Sequence, residues 1–101
     1  MDSPTVYFIQ ADPPEGPVKI GYTRRKVGAR RSEGQTFNSS PLRVLVETRG
    51  SREDETLLHQ IFVSSRLRGE WFSYGDTLRE LILYLIDGGD LKEWLNSWSS
   101  Q

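Results

Sequence analysis

Val6-Tyr7-Phe8-Ile9 and Val18-Lys19-Ile20-Gly21-Tyr22-Thr23 are two short runs of β-branched and aromatic residues. Such runs favour extended backbone on a pleated surface. They are joined by Ala11-Asp12-Pro13-Pro14-Glu15-Gly16-Pro17, whose prolines and glycine cannot sit inside either ladder. The pattern predicts an antiparallel hairpin with a mobile loop. Working outward, Lys26 to Glu33 reads as a short helix stopped by Gly34. Leu42, Val44 and Val46 alternate with Arg43, Leu45 and Glu47, as in a third strand from Leu42 to Thr48. Ser51 is a helix cap, and the helix is expected to run to about Arg66. Glu53, Asp54 and Glu55 lie in its first turn, and Leu57, Leu58, Ile61 and Phe62 form its apolar stripe.

Gly69-Glu70-Trp71-Phe72 is too short for more than a turn or an edge segment. Leu78, Leu81, Ile82, Leu85 and Ile86 recur at helical spacing from Asp76 to Ile86, and Gly88-Gly89 ends that helix. Asp90 to Trp98 form a last short helix, with Asp90 and Glu93 as a capping box. The order β-β-α-β-α-α-α describes an α+β domain, a three-stranded antiparallel sheet flanked by helices with an extra short C-terminal helix.

The 101 residues leave room for one domain over 1–101, with a core at about 5–86 and a helical extension at about 90–98. The longest apolar run, Leu81 to Ile86, is too short to span a bilayer, so no membrane partner is expected. Met1 is followed by Asp2-Ser3-Pro4, with no basic-then-apolar leader, which predicts no export signal. The absence of cysteine excludes disulfides, thiolate nucleophiles and cysteine-based zinc sites, and permits a reducing cytoplasm. Net charge is −1, yet its distribution is uneven. From Lys19 to Arg31 there are six basic residues, Lys19, Arg24, Arg25, Lys26, Arg30 and Arg31, and no acidic one, as expected where a phosphate backbone docks.

Six pieces in order carry a family resemblance: Val6 to Ile9, Lys19 to Thr23, Arg30, Gln35 to Leu42, Glu55-x-x-Leu58-His59-x-x-Phe62, and Gly69 to Phe72. Together they resemble the GIY-YIG nuclease superfamily, and most closely its small phage-associated branch, in which Lys-Ile-Gly replaces Tyr-Ile-Gly. The resemblance spans about residues 5 to 86. It implies a metal-dependent endonuclease that hydrolyses phosphodiester bonds in DNA with Mg2+ or Mn2+, in the cytoplasm of a phage-infected or bacterial cell. Tyr7 stands at the first-motif tyrosine that contacts or deprotonates the attacking water. Lys19 takes the second-motif tyrosine's place, the main departure. Arg30, with Arg31 as its alternative, matches the arginine that neutralises the scissile phosphate. Glu55 matches the carboxylate that holds the metal.

The chemistry suits these residue types. Charge that builds up around phosphorus is met by a guanidinium fork and a metal ion, and Mg2+ often takes only one or two protein carboxylates. A tyrosine of pKa about 10 is scarcely ionised at neutral pH. Either Lys19 lowers the Tyr7 pKa as a cation, or Lys19 is itself the base. His59, one turn after Glu55, is a second metal ligand, a proton donor, or an anchor of the fold. Arg24, Arg25, Lys26, Arg31, Tyr22 and Asn38 are the candidate nucleic-acid contacts, with surface packing as the alternative for Tyr22 and a turn cap for Asn38. Gly21 is expected to permit close strand–helix packing. Trp71 and Phe72 are expected to close the core under the helix that starts at Ser51, and Glu70 to pair with a basic residue. Two rival readings are a degenerate module that binds nucleic acid or protein without cutting, and an adaptor that recruits a protein partner or a second copy through Trp94, Leu95 and Trp98 of the C-terminal helix.

Overall fold

The computed structural model describes residues 3–11, 15–24 and 42–99. The expected helix at 26–33, with Arg25, Lys26, Arg30, Arg31 and Asn38, lies outside them. The hairpin is present as β1 (Thr5–Ala11) and β2 (Val18–Thr23), with Tyr7 opposite Gly21 and Ile9 opposite Lys19. The third strand, β3 (Leu42–Arg49), pairs antiparallel with the other side of β1, and a register shift falls between Phe8 and Ile9. β1 is therefore an interior strand, paired on both edges, which is why Val6 to Ala11 are all buried despite their mixed character.

Among the described residues three strands become five. The first described helix, α1 (Arg52–Ile61), stops short of Arg66. Val63–Ser65 tighten into a 3-10 turn, and Arg66–Arg68 form β4. A β-branched residue followed by two serines is poor helix material, and the Ser65 carbonyl instead accepts the Ser73 amide at 2.8 Å. The expected edge segment is strand β5 (Trp71–Phe72), which lies inside the sheet between β2 and β4 in the order β3-β1-β2-β5-β4. Gly69, at φ +53°, makes the left-handed turn between β4 and β5.

The main core lies on one face of the sheet, where Val6, Phe8, Val18, Ile20 and Phe72 meet the helices. Two of these are α2 (Asp76–Ile86) and α3 (Leu91–Ser99). Leu78, Leu81, Ile82 and Leu85 of α2 are buried as their spacing predicts, whereas Ile86 is exposed. Leu58 and Phe62 anchor α1 in this core, and Leu57 points out to solvent. Leu91 and Leu95 place α3 in the same core, and Trp94 stacks on both Phe62 and Trp98. Asp90 caps α3 by accepting the Glu93 amide at 3.0 Å. On the opposite face Tyr7, Ile9, Ala11 and Leu42 form a second apolar cluster, joined by Val44 and Trp71. Trp71 thus belongs to that second face and not under α1 with Phe72. No helix among the described residues is long and apolar enough to cross a membrane.

Candidate active site

The site is organised by the backbone of Ile20. In an antiparallel strand the N–H and C=O of one residue point to the same side. On the outer edge of β2 the Ile20 amide donates to the Glu70 carbonyl at 3.0 Å, and the Ile20 carbonyl accepts from His59 Nε2 at 2.9 Å. The two-residue β5 ends there, and α1 takes over the edge. A carbonyl only accepts, so Nε2 carries a hydrogen, and in neutral His59 the free lone pair is on Nδ1. The His59 ring meets Phe72 edge-on, with centroids 5.0 Å apart. Glu55 lies one turn earlier on α1. Ligand atoms of Glu55, His59 and Glu70 all fall within 4.8 Å of one another.

Glu55 is only 7% exposed. Burial pushes its carboxyl above the usual carboxylate range, and the neighbouring Glu70 carboxylate pushes the same way, outweighing His59 and Arg52. Lys19 Nζ lies 3.9 Å from Glu70 Oε1, with both side chains partly exposed. Glu70 therefore does pair with a basic residue, and that residue is a site candidate. A solvated pair at this distance contributes little to stability; its importance is positional, because it links Lys19 to the Glu55 cluster.

Cross-strand pairing puts Tyr7, Gly21 and Lys19 on one sheet face, with Tyr7 and Lys19 diagonal neighbours. A Cβ on Gly21 would lie 2.2 Å from Tyr7 Cζ. Glycine is required at this position so that the Tyr7 ring can lie across β2, a different reason from the expected strand–helix packing. Tyr7 is 1% exposed. Tyr22 falls on the opposite face, packed against the main core with Arg52 4.9 Å over its ring. Arg24 is exposed just past the end of β2.

Glu55, His59 and, through Glu70, Lys19 are thus brought together, while Tyr7 lies on the sheet face that carries Lys19, within the second apolar cluster. Glu70 is the residue whose place in the cluster sequence reasoning missed. Its signal was the Trp71-Phe72 pair that follows it, which becomes a strand paired to Val18 and Lys19. Carboxylate oxygens and an imidazole nitrogen are a donor set suited to a divalent cation.

Fold and cluster define an α+β domain with a five-stranded antiparallel sheet and a carboxylate–imidazole cluster at the edge of its second strand. Residues 5–99 match the model of the T5orf172 domain, and the chain belongs to that family, a phage-associated domain consistent with a nucleic-acid-related role. The match takes in all three described helices, α3 included. No curated protein matches the chain, and no solved structure does.

Proposed function

We propose that this domain is a GIY-YIG-type endonuclease that hydrolyses DNA phosphodiester bonds with Mg2+ or Mn2+ held at Glu55. One observation supports the reading above all: Lys19, Glu55, His59 and Glu70, scattered in sequence, converge at one edge of β2 beside the face that carries Tyr7. In the proposed reaction water adds its oxygen to phosphorus and one P–O ester bond breaks; the water loses a proton and the leaving oxygen gains one. A bound divalent ion supplies Lewis-acid stabilisation of the charge on the leaving oxygen. Tyr7, fixed across Gly21, takes the water's proton. Lys19, paired with the Glu70 carboxylate at 3.9 Å, acts as the cation that assists Tyr7 rather than as the base. Arg30 answers the charge on the non-bridging phosphate oxygens.

The test is nicking of supercoiled plasmid with Mg2+ or Mn2+ by wild type and Glu55→Ala, alongside melting curves. Wild type should cut, and the folded variant should not. Full activity in the folded variant removes Glu55 from the site. A wild type inert on duplex, branched and single-stranded DNA with every divalent metal favours the degenerate binder.

A further inference from the structure

We propose that Glu70 is a second carboxylate ligand of the cation and His59 Nδ1 a third donor, so that this chain holds its metal in a Glu55–His59–Glu70 site instead of on one carboxylate. The inference deepens the nuclease reading and shares with it the assignment of Glu55 as a ligand.

Three observations carry it. First, one ligand atom from each of the three residues lies within 4.8 Å of those of the other two, Glu55 and His59 coming from one face of α1 and Glu70 from the turn before β5. Around an octahedral Mg2+ ion at most one pair of three ligands is opposite, about 4.2 Å apart, and the other pairs are adjacent at about 3.0 Å, so closing on an ion needs side-chain movements of about an ångström. Second, Glu55 is more than nine-tenths buried, and its carboxylate lies close to another carboxylate, that of Glu70. Two carboxyl groups facing each other with one of them buried is an arrangement that a divalent cation resolves. Third, His59 already makes the outer bond that orients ligating histidines. Its Nε2–H is held by a backbone carbonyl, and the second nitrogen is left with a lone pair.

The donor set also sets metal preference. Carboxylates alone suit Mg2+ and Mn2+ alike, whereas adding an imidazole shifts a site towards the transition metal. Mn2+ should therefore bind more tightly than Mg2+, by tenfold or more. Lys19, 3.9 Å from Glu70, is left beside the occupied site, where it faces the Tyr7 side of the sheet.

The experiment is titration of the metal-free protein with Mn2+, followed by the loss of the free-ion electron paramagnetic resonance signal, for wild type, Glu55→Gln and Glu70→Gln. Melting curves establish that each is folded, and plasmid nicking is assayed in parallel. Each glutamine should raise the Kd at least tenfold, and the bound wild-type ion should show electron spin-echo modulation from an imidazole 14N. If Glu55→Gln loses Mn2+ and folded Glu70→Gln keeps wild-type affinity, the second carboxylate is overturned and the single-ligand nuclease reading stands. Absence of 14N modulation overturns the histidine. If both variants lose Mn2+ but loaded wild type cuts no DNA, the three-donor site stands and the nuclease reading falls. Failure of wild type to bind Mn2+ overturns both.

Discussion

Asp54 and Glu55 are consecutive in the chain, both are buried in the first turn of α1, and they behave oppositely. Burial works against ionisation of Asp54, but the Ser51 amide donates to it at 3.0 Å and Lys92 Nζ at 2.9 Å, and its carboxyl is held below the usual range. The Ser51 hydroxyl returns the favour by accepting the Asp54 amide at 3.1 Å, completing a capping box. Glu55, rotated about 100° around the helix, meets Glu70 in place of a donor, and its carboxyl is pushed up. Burial alone therefore does not decide which way a carboxyl group is shifted; the partners do. Asp54 has its hydrogen bonds made within the fold, and Glu55 faces a second carboxylate.

The largest expected contrast is in catalysis. Glu55→Ala should cut plasmid at least about 100-fold more slowly, the order seen when one electrostatic stabiliser is removed. Asp54→Ala should nick at close to the wild-type rate below its melting point. Equal losses in both would erase the distinction.

The second contrast inverts the first and is read by melting. Asp54→Ala removes half of a capping box and should cost about 1 kcal/mol, within a range of about 0.5–2, which lowers Tm by roughly 4–8 °C for a domain of this size. Glu55→Gln should leave Tm unchanged or raise it, because it removes charge from a buried carboxyl pair.

Acid titration of stability sharpens the comparison further. The Asp54 folded pKa is lowered, so its stabilisation is fully present above the unfolded value of 3.8 and is lost as pH falls through the folded value. The Glu55 folded pKa is raised above 4.5, so wild type is handicapped relative to Glu55→Gln at neutral pH. That handicap shrinks as pH falls through the raised folded value and is gone below 4.5. Denaturant melts against pH for each variant, subtracted from wild type, should show differences of opposite sign.

The smallest effect is expected at Lys92, whose side chain is 63% exposed. Lys92→Ala should lower Tm by less than Asp54→Ala and leave nicking unchanged, since Ser51 still holds the carboxylate.

What sequence made legible follows from the range of the interactions. The hairpin, the third strand, the Ser51 cap and the 76–86 helix depend on neighbours within a few positions, and all four stand in the structure. β4 and β5 were not legible because they are too short to show alternation. They exist because β2 offers β5 an edge and Ser65 holds Ser73, both non-local conditions. The site divides in the same way. Glu55 and His59 share a helix face and can be paired from spacing. Glu70 reaches them only after β5 has docked, and Gly21 is required because of a ring on the opposite strand.

Ile20 uses its amide to hold the loop carrying Glu70 and its carbonyl to hold the ring of His59. One consequence concerns the order of events during folding and fraying. The candidate centre exists only while β5 is paired, and β5 is two residues long behind a left-handed glycine turn. Opening of that short hairpin would disband the centre while leaving the apolar layer beneath the helices assembled. Amide exchange at Ile20 should therefore report readiness for chemistry separately from global unfolding, and any ion bridging Glu55 to Glu70 would slow that exchange by stitching the hairpin to the helix.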